Sequence, residues 1–336
     1  MFDAYRKENS ASELHIEGNR VLDKNGNRVV LTGVNCASLE WLSNPEKLLN
    51  TVIYAMDNWN ANIIRLPLSQ DRWFGFGGDQ AGEDESGERY RAIVDGIVTE
   101  VAKRNKYIIM DLHRSNCGSW GEFISGNMPD MNCLVFWKDI AKRYCNHPNV
   151  LFGLFNEPFK VSWEVWRDGG EVTVEYAPQN IGNQIMRDES GEPELQKITF
   201  HTPGMQKILD TVRAVGAKNI AIIAGLDWGY ELDGSAKGYV VKDSTGNGII
   251  LDSHEYPWKE LDRWDELVDV CNKDYPIIIG ECGHYGENVV VYEAPQREES
   301  AKWVPRLLNW VEKNNYHITA WDFHDTAGPS LIKNLD

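Results

Sequence analysis

The sequence predicts an α/β fold, a (β/α)8 TIM barrel built as one domain. Three features carry that expectation. Eight short apolar runs alternate with amphipathic helical patterns along the 336 residues. Most of the runs are continuously apolar, as strands buried on both faces are. Nearly every run ends, on its C-terminal side, in charged, amide or aromatic residues.

The elements follow in order. LHIEGNRVLDKNGNRVV, from residue 14, carries the turn signals Gly18-Asn19 and Asn25-Gly26 between short alternating strands, an N-terminal β-hairpin. The eight barrel strands are read at 29–35, 61–68, 106–113, 150–157, 220–228, 248–256, 275–283 and 317–324. Between them PEKLLNTVIYAMDNW, YRAIVDGIVTEVAKRN, LVFWKDIAKRYCN and TPGMQKILDTVRAVGA repeat apolar residues at three- and four-residue steps, the period of a helix packed on one face. A doubly wound sheet is the alternative, but it usually has fewer strands and no GxGxxG follows the first strand. No low-complexity linker divides the chain, so the core is expected over about residues 14–330. Two long excursions, GFGGDQAGEDESGER after the second strand and 161–202 after the fourth, belong on the C-terminal face of a barrel. After the eighth strand only DTAGPSLIKNLD remains, which predicts a truncated or short final helix.

Composition narrows the function classes. Lys and Arg total 34 against 51 Asp and Glu, a net charge of -17. So acidic a chain is a poor partner for nucleic acid or an anionic membrane, since both attract basic surfaces. No apolar run is long enough for a membrane helix, and no signal peptide is visible in MFDAYRKENS. The six cysteines form no CxxC pair, which disfavours a structural zinc site and leaves disulfides open. Thirteen Trp residues suit a protein that grips flat, ring-shaped surfaces, although most Trp is expected in packing.

The strand-end residues define a candidate site. Arg65 ends the second strand, Asp111 and His113 the third, Asn156 and Glu157 the fourth, and Asp227 and Trp228 the fifth. His254 and Tyr256 end the sixth, Glu281 the seventh, and Trp321, Asp322 and His324 lie on the eighth. At that end of a barrel such residues converge on one pocket and are read as catalytic. Strands four and seven face each other, so Glu157 and Glu281 can pair across the barrel. Two facing carboxyl groups suit glycoside hydrolysis, one protonating the leaving oxygen and the other attacking or activating water. The same pair could hold a metal, but neither an HExxH nor a compact Asp/His run supports that.

On these residues the sequence resembles glycoside hydrolase family 5, whose members include many cellulases. GLFNEP and IIIGECG match its acid/base and nucleophile segments; IRLP, DLH, HEY and TAWDF supply Arg65, His113, His254, Tyr256 and Trp321. Further stretches resemble bacterial endo-β-1,4-glucanases of the family. The resemblance implies a retaining double displacement with Glu281 as nucleophile, held by Arg65 and Tyr256, and Glu157 as acid/base. It also implies two carboxyl groups roughly 5–5.5 Å apart and a raised pKa for Glu157. Asn156 would hold the sugar 2-hydroxyl, His113 and His254 would hold hydroxyls and the acid/base, and Trp321 would be the floor of the site.

Trp41, Trp73, Trp120, Trp163, Trp228 and Trp258 sit at or just past strand ends and are expected as sugar platforms. Trp137 and Trp310 fall inside helical patterns and are expected in the core. His147, His201 and His317 are expected to be structural, as is Cys282, which alternates away from Glu281. The expected activity is endo-acting cleavage of β-1,4-glucan (cellulase), with β-mannanase or xyloglucanase as alternatives on the same barrel and a non-catalytic carbohydrate-binding protein as a third. Neither cofactor nor metal is implied. A polysaccharide partner, a monomer and an extracellular location complete the expectation.

Overall fold

The computed structural model describes residues 11–121, 124–178, 186–187, 191–259, 263–285 and 298–334. Two short strands, β1 (Leu14–Glu17) and β2 (Arg20–Asp23), form the N-terminal hairpin, turning at Gly18 with φ +60°. Eight parallel strands close a barrel: β3 (Thr32–Asn35), β4 (Ile63–Ser69), β5 (Tyr107–Arg114), β6 (Val150–Gly153), β9 (Ala221–Ala224), β10 (Ile249–Glu255), β11 (Ile277–Cys282) and β12 (His317–Ala320). They are neighbours in chain order, and β12 returns to pair with β3. β7 (Gly170–Tyr176) and β8 (Gln196–Thr202) stand outside it as an antiparallel pair within the 161–202 excursion.

Helices cover the barrel. They include α1 (Leu48–Asn58), α3 (Glu88–Lys103), α4 (Cys133–Tyr144), α6 (Gly204–Ala214) and α8 (Ser300–Asn314), with the short α2 (Gln70–Trp73), α5 (Trp163–Asp168) and α7 (Trp264–Leu267) between them. In α3 the buried residues are Tyr90, Val94, Ile97, Val98 and Val101, the expected one-face stripe. The rhythm is incomplete in two places. Between β9 and β10 the chain forms loops, and residues 321–334 after β12 hold no helix. That last segment folds back instead: Asp322 N–H donates to the Pro329 carbonyl and Leu331 N–H to that of Asp322.

Two packed layers explain why most of the strands read as continuously apolar. Ile64, Leu66, Ile108, Met110, Leu251, Ile277 and Ile279 face the helices and join the large outer core. Ile63, Ile109, Leu151, Ile222, Ile250 and Ile278 join Leu14 and Val21 in the inner core, beneath the barrel's polar end. Strand alternation then sets what stands above them: Arg65 follows Ile63 by two residues, Asp111 follows Ile109, and Asp252 and His254 follow Ile250. None of the six cysteines is paired in a disulfide. Among the described residues no helix is long and apolar enough to cross a membrane.

Candidate active site

β11 contains the feature that builds the site. Ser253 of β10 pairs with Ile279, but the next residue, His254, pairs with Glu281. Gly280 is the extra residue of a bulge. Ile278 faces the inner core while Ile277 and Ile279 face outward. Without the bulge Glu281 would share the outward face of Ile279; with it, Glu281 turns into the barrel and Cys282 points to the outer core. Only Gly fits here, because a Cβ would lie 2.2 Å from Asp252 Oδ1.

Glu281 is buried and held at both oxygens. Arg65 Nη1 donates to Oε1 at 2.7 Å and the Tyr256 hydroxyl donates to Oε2 at 2.8 Å. Arg65, only 1 % exposed, also donates to Asn35 Oδ1 at 2.9 Å and Asn156 Oδ1 at 2.6 Å, and pairs with Asp111 at 3.0 Å. A buried guanidinium is tolerable only with its donors filled and its charge matched, and here both conditions hold. Asn35, which closes β3, passes the order on by donating to the Gly280 and Thr319 carbonyls.

Glu157 stands across from Glu281 with 28 % of its side chain exposed. His254 Nδ1 lies 3.0 Å from Glu157 Oε1 and 3.7 Å from Glu281 Oε2. One carboxylate oxygen of each Glu and one imidazole nitrogen all lie within 4.8 Å of one another. Burial by itself would lower the His254 pKa, but the charges of Glu281 and Asp252 and the hydrogen bond with Glu157 outweigh it and push it up to about 10. Burial correspondingly favours a protonated Glu157, yet the His254 hydrogen bond and charge bring its pKa below the usual carboxylate value. The expected raised pKa of Glu157 is therefore corrected: a cationic imidazole, not a neighbouring anion, dominates its surroundings.

His113 is oriented by Asp111 at 2.9 Å, lies 3.4 Å from Asn156 Nδ2 and stacks on Trp321 at 5.4 Å with 16° between the rings. Burial lowers its pKa, but the Asp111 hydrogen bond and charge leave it raised overall. Thus Arg65, His113, Asn156, Glu157, His254, Tyr256, Glu281 and Trp321 share one connected cluster. Sequence reading missed Asn35 and Asp252, although both ride the face of a strand that also carries, or adjoins, a recognised site residue.

The aromatic expectations divide. Trp258 stacks on Tyr256 at 4.5 Å, and with Trp41 it joins the small group of Ala37, Tyr256 and Trp321 at the site's rim. Trp120 stacks on Phe76 at 5.0 Å, and Trp228, 38 % exposed, stacks on Phe159 at 4.5 Å beside the acid/base segment. Trp73 is corrected: it is fully buried against Tyr90 and Phe136 and donates its N–H to Asp139. Trp163 is half-buried, packing edge-on to Trp166 and flat against Gly234, where a Cβ would meet its ring at 2.3 Å. Trp137 is buried in the core and Trp310 packs against it. His317 is a satisfied core residue, its Nδ1 accepting from Leu31 N–H, and burial pushes its pKa down to about 3.

Comparison with known proteins agrees with this geometry. A family profile described as Cellulase (glycosyl hydrolase family 5) matches residues 22–327. An endoglucanase of Paenibacillus polymyxa is 24% identical over 94% of this chain and 80% of its own length. Endoglucanase A of Butyrivibrio fibrisolvens is 24% identical over 87% of this chain and 67% of its own. Among solved structures, a β-glucanase from Saccharophagus degradans in complex with cellotetraose superposes with a TM-score of 0.73 at 21% identity, covering 98% of this chain and 90% of that one. That last likeness shows the fold.

Proposed function

The chain belongs to glycosyl hydrolase family 5, and from that premise we propose that it is a retaining endo-β-1,4-glucanase with Glu281 as nucleophile and Glu157 as acid/base. The observation that carries the mechanism is the approach of the two carboxylates. Their nearest oxygens lie within 4.8 Å. Inverting enzymes need about 6.5–9.5 Å between carboxyl groups to admit a water, whereas retaining ones hold them about 5–5.5 Å apart.

Each step uses a residue in place. A Glu281 oxygen attacks the anomeric carbon as the bond to the leaving O4 breaks, and Glu157 delivers its proton to that oxygen. The glycosyl ester neutralises Glu281, and Glu157 then takes a proton from water. The resulting hydroxide attacks the same carbon and frees Glu281, so two inversions give net retention. Asn156 is placed to hold the 2-hydroxyl, and Trp321 floors the site. His254 supplies the proton inventory of Glu157.

The glucan assignment is supported by the endoglucanase relatives and by the neighbour's cellotetraose complex. Because a polymer of this kind cannot enter a cell, the enzyme acts outside it. One copy of the chain suffices, since it supplies both carboxylates. The test is reducing-end release and viscosity on soluble cellulose derivative, mixed-linkage glucan, xyloglucan and mannan. A fast viscosity fall on cellulose derivative or mixed-linkage glucan is expected. Preference for mannan or xyloglucan would overturn the substrate but keep the chemistry. Binding without cleavage would overturn the catalytic reading.

A further inference from the structure

Asp252 reaches both halves of the catalytic pair through one intermediary each, Gly280 for Glu281 and His254 for Glu157. It is buried, and its two oxygens do different things. Oδ1 accepts from Gly280 N–H at 2.8 Å, the amide at the bulge that turns Glu281 inward. Oδ2 lies 3.4 Å from His254 Nε2, near enough for its charge to act on that nitrogen though not aligned as a hydrogen bond, while the other ring nitrogen faces Glu157. The imidazole cannot turn away, because Gly229 lies flat against it, where a Cβ would stand 3.0 Å from the ring, and the Gly229 carbonyl accepts from His254 N–H.

We propose that Asp252 is a positioning residue for both catalytic carboxylates: it secures the bulge that aims Glu281, and it fixes one proton on His254 Nε2, so that Nδ1 and Glu157 exchange the catalytic proton. This rests on the reading of Glu157 as acid/base. An imidazole with a bare Nε2 would set a lone pair against the Asp252 carboxylate, so Nε2 keeps its hydrogen. Nδ1 is then the nitrogen that gains or loses one. With the proton on Nδ1, Glu157 is a carboxylate; with the proton on Glu157, Nδ1 accepts from it. Either way the pair holds one transferable proton, and nothing else is consumed.

The groups facing His254 are consistent with this. Glu157, Glu281 and Asp252 act on it directly, Asp111 across the barrel and Glu255 from the outer face of its own strand. The cations nearby are Arg65, bound to Glu281 and Asp111, and His113 and Lys259, whose charges reach Glu157. Removing the Asp252 charge makes the pair's last proton easier to lose.

The experiment compares Asp252→Asn with wild type on cello-oligosaccharides and on a 2,4-dinitrophenyl β-cellobioside, whose departure needs no acid. Asn keeps an acceptor for Gly280 N–H but removes the charge. The alkaline limb of kcat/KM on cello-oligosaccharide should move to lower pH by about one unit or more. The loss on that substrate should exceed the loss on the dinitrophenyl glycoside by roughly tenfold. Asp252→Ala, which frees the bulge as well, should depress both. An unshifted pH profile, or equal losses on both substrates with Asn, would reduce Asp252 to a structural role. If the variants do not fold, ring-nitrogen NMR of His254 in the wild type decides. Nε2 keeping its proton while Nδ1 titrates supports the proposal, and the reverse order overturns it. A wild type that cleaves neither substrate would sink the parent reading, and this role with it.

Discussion

The surroundings of the two catalytic carboxylates differ in kind. Glu281 is 4 % exposed, with one oxygen on Arg65 and the other on Tyr256. Glu157 is partly open and hydrogen-bonds with the titratable His254. The difference follows from the two tasks. A nucleophile must stay charged and aimed, so it is clamped by a guanidinium that never gives up its proton and by a hydroxyl. An acid/base must change charge twice per turnover and admit water, so it is left partly exposed beside a group that can take the proton back.

Three substitutions test that contrast, in falling order of effect. Glu281→Ala should reduce turnover on every substrate, on the order of 10⁵-fold, because no other group can form the ester; substantial residual cleavage of the dinitrophenyl glycoside would contradict its role. Glu157→Ala should cost about 10²–10⁴-fold on cello-oligosaccharides. On the dinitrophenyl glycoside it should slow the second step alone, seen as a burst, so equal first-step losses on the two substrates would erase the contrast between the sites. Tyr256→Phe removes one of two clamps, and kcat should fall roughly tenfold to a hundredfold, with a pH profile steeper or shifted less than that of Asp252→Asn.

The smallest effect concerns stability. Glu255 lies on the outer face of β10, where burial pushes its pKa from the usual 4.5 up to about 8 against the hydrogen bonds from Ser253 and Trp264. The folded chain keeps a proton there that the unfolded chain releases near pH 4.5. Its contribution to stability is complete below about pH 4.5 and disappears as pH rises through about 8. Glu255→Gln should flatten that part of the Tm–pH curve, and parallel curves for the two proteins would refute it.

Much of the site was legible in the chain because strand ends are local. The end of each apolar run names the residues of the C-terminal rim, and Arg65, His113, Asn156, Glu157, His254, Tyr256, Glu281 and Trp321 all meet there. The Trp platforms were less legible. Trp73 and Trp228 both sit just past a strand end in the sequence, yet the first packs inward and the second stays 38 % exposed. Position along the chain does not say which face of a loop aromatic finds a neighbour. The eighth helix was expected to be short, and residues 321–334 instead fold back through Asp322, Pro329 and Leu331.

The sequence by itself determined the barrel, the order of its strands and the end at which chemistry gathers, because apolar periodicity and strand-end polarity are written in neighbouring residues. Which way Glu281 points was decided only in the folded barrel. Counted by alternation it belongs with Ile277 and Ile279, which face the helices. The bulge at Gly280 reverses it, and that bulge depends on the pairing of β11 with β10 and on Asp252, 28 residues earlier in the chain. The charge of His254 was decided the same way. An imidazole alone titrates near neutrality, and the three carboxylates brought round it from β10, β11 and the segment after β6 hold it protonated.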